Sequence, residues 1–335
     1  MFPQHHPPIN GFISQISYDL HFPCFTYLNI DSLVRIRQTC SIADEWVTWE
    51  LARRLHILLT TYFTSPSNFY IQMQQTSTII SGISTHNIFY PHLFLPSHIL
   101  WLHVPRDQFQ GLVNYLMDSE GYQPKKSFTS PISAIQHYPI QSMRPAMAAL
   151  QKGIYKIEVF QSAYQSPLPS LLQHSFTSQL GYIAHDHFCS PYHSLSIQKR
   201  GLIHPYISRR LHIMPFDMQA IQHYHWWKDN GWDLQANPKV WQKENGEDCL
   251  KERSVGCAMA RRHMGDRHCV FGKLYTVRYS YSVSSPFNPL SQFTVYWNRG
   301  GTTCSNDCHP SCDYIKHHVI VTSPTTFVPS TADVA

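Results

Sequence analysis

The chain has 335 residues, 43% of them apolar and only 14% charged, against an average of about 25% charged for soluble domains. A formal charge of +5 with no Lys/Arg run excludes a strongly basic, nucleic-acid-coating chain, and no specific nucleic-acid partner is expected. No window approaches about 18 uninterrupted apolar residues, so no membrane partner is expected either.

The length suggests two or three structural units. The opening MFPQHHPPINGF lacks the basic flank and apolar centre of a secretory signal. Nine cysteines, unevenly spread, fit buried thiols in a reducing compartment, cytoplasm or nucleus, better than a disulfide framework. Histidine is frequent at 22, and proline at 23 exceeds glycine at 14, which predicts long ordered loops. The densest basic patch, Arg261-Arg262-His263 to Arg267-His268, is short and reads as a solvated face.

In chain order, residues 16 to 60 read as helices. Leu28, Leu33, Ile36 and Cys40 recur at three to five residue spacing, with Asp31 or Ser32 as the cap. A second amphipathic run spans Asp44 to Leu59. TSPSN is a turn, and Ser65 or Ser67 starts a short helix bearing Phe69 and Met73. Thr78-Ile79-Ile80 and Ile99 to Leu102 read as buried strands, and Asp107 to Asp118 as a helix. Gly153 to Phe160 alternates and reads as a third strand. Leu171 to Tyr182 is predicted helical. The His- and Pro-rich stretch 186 to 215 gives no clear period. Met218 to Lys228 is predicted as a helix ending at Asn230-Gly231. Beyond 235 the chain turns to strands: Lys273 to Val283, Gln292 to Trp297, and Val319 to Val321.

Two stretches carry resemblances. Residues 16 to 40, ISYDLHFPCFTYLNIDSLVRIRQTC, resemble an F-box. Asp19 and Leu20 take the acidic and apolar places, Cys24 and Phe25 the paired apolar ones, and Tyr27-Leu28 close the first helix. Leu33, Ile36, Arg37, Thr39 and Cys40 fit the second half, while His21 and Pro23 depart from the pattern. The resemblance implies contact with the Skp-type adaptor of a cullin-RING ubiquitin ligase through Leu20, Phe25, Leu28, Leu33 and Ile36. The bland alternative is a helical cap packed on the next domain.

Downstream, the chain resembles fungal proteins in which such a segment precedes a nucleotidyltransferase-like core. Ile80-Ser81-Gly82 matches the opening turn, Ile88-Phe89 an aromatic pair, and Pro96-Ser97 the step before the acids. Ser119-Glu120-Gly121-Tyr122, Lys156 to Val159 and Tyr224 to Leu234 match later segments. The two acids themselves are replaced: His98-Ile99-Leu100 stands in their place.

That replacement bears on chemistry. Nucleotidyl transfer uses two metal ions, about 3.5–4 Å apart, on oxygen ligands. Leu100 cannot ligate, neutral His98 is a poor magnesium ligand, and Ile83 removes a hydroxyl from the turn. Glu158 is the one remaining candidate acid. The degenerate nucleotide site is therefore Ser81, Gly82, Ser97, His98, Leu100 and Glu158, with no catalytic residue and no cofactor.

Residues 304 to 318, CSNDCHPSCDYIKHH, space Cys304, Cys308 and Cys312 by four, with His317 and His318 following. Three cysteines and His317 could close a structural zinc site, or the loop could carry free thiols. Cys249, Cys257 and Cys269 are too scattered to pair by spacing.

The expected architecture is α+β. It comprises an F-box-like helical segment (12–62), a degenerate nucleotidyltransferase-like core (63–234) and a β-rich C-terminal region with the Cys/His loop (235–335). The expected function is a non-catalytic protein-binding protein, an F-box-type adaptor for an unknown protein target. The alternatives are a residual nucleotide-using enzyme or a zinc-stabilised recognition module.

Overall fold

Apolar residues on α1 (Ile30–Arg37) and α2 (Ser41–Tyr62) recur at helical spacing, and the helices bury that face against the start of a large sheet. The computed structural model describes residues 24–93, 97–125, 146–212, 218–241, 255–274, 294–302 and 314–322. The α1 cap is Asn29, two residues before the predicted Asp31 and three before Ser32; its Oδ1 accepts from the Ser32 amide at 2.9 Å. Asp31 lies in the first turn and pairs with Arg35, as the helix dipole favours. Helix α3 (Pro66–Thr76) follows Ser65 and has Pro66 in its first turn, where a missing N–H costs nothing.

Next come β1 (Ile79–Ser81), α4 (Ile83–Phe89), β2 (Ile99–Val104), α5 (Phe109–Asp118), and strands β3 (Gln123–Pro124), β4 (Met147–Lys152) and β5 (Tyr155–Gln161). Gly153, at φ +61°, turns the β4–β5 hairpin, so the predicted third strand begins two residues later than its pattern suggests. After α6 (Leu168–Leu171) the predicted helix 171–182 does not form. It breaks into a 3-10 turn at Thr177–Leu180 and strand β6 (Tyr182–Ile183). The segment is buried on nearly every side, so its apolar residues follow tertiary packing and not a helical stripe.

The His- and Pro-rich stretch resolves into β7 (His187–Ser190), α7 (His193–Ser196), β8 (Arg200–Leu202) and α8 (Pro205–His212). Helix α9 (Met218–Asp229) ends where predicted, with Gly231 at φ +84° just beyond it. The remainder is β9 (Asp233–Gln235), β10 (Arg261–His263), β11 (Val270–Lys273), β12 (Thr294–Asn298), β13 (Gly301–Thr302), β14 (Tyr314–Ile315) and β15 (His318–Thr322). Most of the predicted strand Lys273 to Val283 lies outside the described residues.

The architecture is mixed α+β with a mixed sheet. Eight strands run in the order β11-β7-β6-β1-β2-β5-β4-β3. β2 sits near the centre, antiparallel to β1 and parallel to β5. A three-stranded sheet, β10-β12-β15, covers part of one face. The C-terminal region is not a separate layer. β11 pairs with β7 of the main sheet, and Arg37 Nη1 donates to the Lys273 carbonyl at 2.8 Å.

A buried ion cluster ties the N-terminal helices to α4. Glu50 accepts from Arg54 Nε at 2.6 Å and from Arg53 Nε at 2.8 Å. Arg54 then donates to the carbonyls of Ile88, Phe25 and Leu28, so one guanidinium bridges three segments.

Candidate functional site

β1 ends at Ser81, the chain turns at Gly82, and α4 begins at once. Gly82 has φ +74° and ψ −153°, a conformation close to glycine-only. The space above it is taken: a Cβ on residue 82 would clash with Cε3 of the Trp101 indole.

Strand register explains why Trp101 is there. Ser81 lies directly opposite Trp101 on β2, and Trp101 directly opposite Glu158 on β5. These three residues form one row across the sheet and share a face. His103 and Phe160, two steps along, are on the same face. Leu100, Leu102, Ile157 and Val159 belong to the opposite face and pack in the core beneath α2 and α5.

The expected degenerate site is therefore divided by the sheet. Ser81, Gly82 and Glu158 are brought into one neighbourhood. Leu100 is fully buried on the other side, and His98 is exposed before the strand, its ring 6.0 Å from Tyr155. Ser97 supports the strand entry, its Oγ accepting from the Ile99 amide at 3.0 Å. Between Ser81 and Glu158 in that row stands Trp101.

What fills the face instead is a closed polar knot. Ser170 Oγ donates to the Pro167 carbonyl at 2.8 Å, so it accepts from His103 Nδ1–H at 2.8 Å. That leaves His103 Nε2 bare. Its single lone pair faces both Ser81 Oγ–H and His174 Nε2–H, each at 2.9 Å, and accepts from one of them at a time. The His174 ring stacks on Trp101 at 4.6 Å and the His103 ring on Phe160 at 5.0 Å. Ser81, His103, His174 and Ser170 are all buried.

Neighbouring imidazoles are held neutral. Burial pushes His86 down to about 4, against the raising effect of its bond to the Ser178 carbonyl at 2.7 Å. Burial also pushes His223 down to about 4; its Nε2 accepts from Trp227 Nε1–H at 2.9 Å. A hydroxyl facing a bare imidazole nitrogen has the form of an activated nucleophile. Here the cavity beside it, lined by His174, Tyr192, His204 and His317 among others, measures about 10 Å³. That is room for one water and not for a substrate.

The adaptor-binding set lies mostly inward. Leu33 is fully buried, and Phe25, Leu28 and Ile36 pack against the same core, with Phe25 6.2 Å from the Trp46 ring. Leu20 lies outside the described residues. The exposed large apolar residues nearby are Tyr27 at 69%, Trp49 at 45% and Ile57 at 51%.

Of the expected zinc ligands, Cys304, Cys308 and Cys312 lie outside the described residues. His317 is half-buried, its Nδ1–H donating to the Arg299 carbonyl at 3.2 Å, and burial pushes it down to about 4. Among the described residues, no three His, Cys, Asp or Glu side chains come together so as to hold a metal. No described helix is long and apolar enough to cross a membrane.

Sequence reading missed His103, His174 and Ser170. The usable signal was His103 at an i+2 position from Trp101, one residue past the predicted strand Ile99 to Leu102; β2 runs on to Val104 and puts both on one face. Nothing local marked His174. No family model matches the chain, and no curated protein or solved structure matches it.

Proposed function

We propose that this chain is a non-catalytic protein-binding protein on a nucleotidyltransferase-like scaffold, an F-box-type adaptor whose N-terminal helices meet a Skp-type partner. The carrying observation is Trp101. Its indole occupies the space over Gly82 and stands between Ser81 and Glu158, where a metal-bound triphosphate would need oxygen ligands and room. The order of parts also supports the scaffold reading: strand, Ser-Gly turn, helix, second strand, then a parallel neighbour bearing Glu158.

Adaptor contact falls on what is exposed, so Tyr27, Trp49 and Ile57 replace the core-facing Leu33 as the contact residues. Co-expression with a Skp-type adaptor should give a complex that survives gel filtration. Trp49→Asp with Ile57→Asp should dissolve it while the circular dichroism spectrum stays unchanged. A complex indifferent to both changes, or none at micromolar protein, overturns the adaptor role. Separately, calorimetric titration with Mg-ATP at millimolar nucleotide should give no heat of binding. Saturable, magnesium-dependent heat would restore the enzyme reading.

A second reading has one observation in its favour. His317 donates its Nδ1–H to a backbone carbonyl, as zinc-ligating histidines do, leaving Nε2 without a hydrogen-bond partner among the described residues. One equivalent of zinc by elemental analysis, lost in His317→Ala, would support a zinc-stabilised module; metal-free purified chain would end it.

A further inference from the structure

We propose that Cys269 and Cys189 form a peroxide-reactive thiol pair, in which a hydroperoxide oxidises Cys269 and Cys189 then closes an internal disulfide with it.

The fold makes the pair. β7 and β11 are antiparallel, with Cys189 opposite Phe271. Cys269, two residues before Phe271, lies diagonally across on the same face. Both side chains enter the layer between the main sheet and the β10-β12-β15 sheet, beside Tyr182, Tyr192 and Trp297. The diagonal register and the shared apolar layer place the two sulfurs on one face as near neighbours. Cys189 is fully buried, with Met264 Sδ 3.9 Å from its sulfur, whereas Cys269 is partly exposed at the mouth of a tight turn. Both are free cysteines.

The surroundings give the two sulfurs different roles. Arg262 is clamped by Asp266, with Nε to Oδ2 at 2.5 Å and Nη2 to Oδ1 at 3.1 Å, and by the Pro191 carbonyl at 2.6 Å. Its guanidinium lies over the Tyr192 ring at 4.7 Å, and Nη2 reaches Cys269 Sγ at 3.7 Å. As a thiol, Cys269 donates to Asp266 Oδ1 at 3.3 Å. As a thiolate, it accepts from Arg262 Nη2. The Cys189 bond first, then the Arg262 charge, hold the Cys269 thiol below its ordinary range, although burial and the Asp266 charge oppose them. Burial first, then the bond to Cys269, push Cys189 well above it. One sulfur is thus prepared to attack and its neighbour to keep a proton until needed.

The chemistry balances. The Cys269 thiolate attacks one oxygen of the hydroperoxide; the O–O bond breaks, giving a sulfenic acid on Cys269 and hydroxide or alkoxide. Cys189 sulfur then attacks the sulfenic sulfur, the S–O bond breaks, and the departing hydroxyl takes the Cys189 proton as water. Two thiols are oxidised and one peroxide is reduced. A later thiol reductant reverses the bond by exchange.

The test uses the folded full-length chain and hydrogen peroxide, followed by alkylation and non-reducing peptide mass mapping. The expected result is a Cys189–Cys269 crosslinked peptide, absent after reduction. Cys189→Ala should stop at a dimedone-trappable sulfenic acid on Cys269, and Cys269→Ser should lose both products. Cys189 is a buried core side chain, so the near-ultraviolet circular dichroism of Cys189→Ala is recorded alongside; the Cys269→Ser arm stands without it. No 189–269 link in folded wild type, a link formed only in denaturant, or unchanged peroxide consumption in Cys269→Ser would each overturn the proposal.

Discussion

The two faces of strand β2 carry contrasting solutions to burial. On one, Leu100, Leu102 and Val104 meet Ile157 and Val159 beneath helices, and shape alone decides the packing. On the other, Trp101 and His103 meet Ser81, His174 and Ser170; the serines and histidines bond one another, while the buried Trp101 Nε1–H has no partner among the described residues. An apolar face tolerates substitutions that keep volume; a polar one tolerates only those that keep donors and acceptors matched. On the second face most of the polarity is met by neighbouring side chains.

Truncation on the apolar face should have the largest effect. Leu102→Ala should cost about 2–5 kcal/mol in urea unfolding, because the rigid core leaves a cavity. Loss of only a few tenths would mean that this face repacks freely. Next comes the knot itself: His103→Ala should cost about 1–3 kcal/mol by stranding Ser81, Ser170 and His174, with a cavity penalty added. If His103→Ala proved neutral, water would have replaced the imidazole and the contrast between the faces would be weaker than drawn.

A pH titration sharpens the comparison without mutation. His86, His223 and His317 stay neutral in the fold down to about 4, while in the unfolded chain they take a proton near 6.5. The unfolded state therefore binds more protons between those values. The stability these groups contribute is complete above about pH 6.5 and falls toward pH 4, by about 1.4 kcal/mol per pH unit for each histidine. Urea midpoints measured from pH 7.5 to 4.5 should decline, and His86→Phe should flatten the slope. Smallest of all, Ser170→Ala should cost about 1 kcal/mol, since His103 Nδ1–H loses one neutral acceptor.

Much of the scaffold was legible in the sequence for a physical reason: β1, β2, α5 and α9 are short apolar or amphipathic runs bounded by Gly, Pro or Asn. The site was less legible. β2 reads Ile-Leu-Trp-Leu-His-Val, apolar on both faces, so alternation gives no hint of which residues look toward Ser81. A one-residue choice of parity separates Leu100 from Trp101. His174 follows α6 in a stretch whose composition suits a helix, and only packing against the sheet breaks it into turns. The Cys189–Cys269 contact joins residues eighty positions apart through a β7–β11 pairing that no local spacing announces.

The link between β7 and β11 has a consequence for how the chain may be cut. β11 supplies the outermost rung of the eight-stranded ladder, and Arg37 reaches across to hold it from the N-terminal side. A shortened protein ending near residue 235 would keep most of the core yet leave the amides and carbonyls of β7 bare. Such an open margin invites another copy to dock along it, so the trimmed fragment should self-associate more than the intact chain.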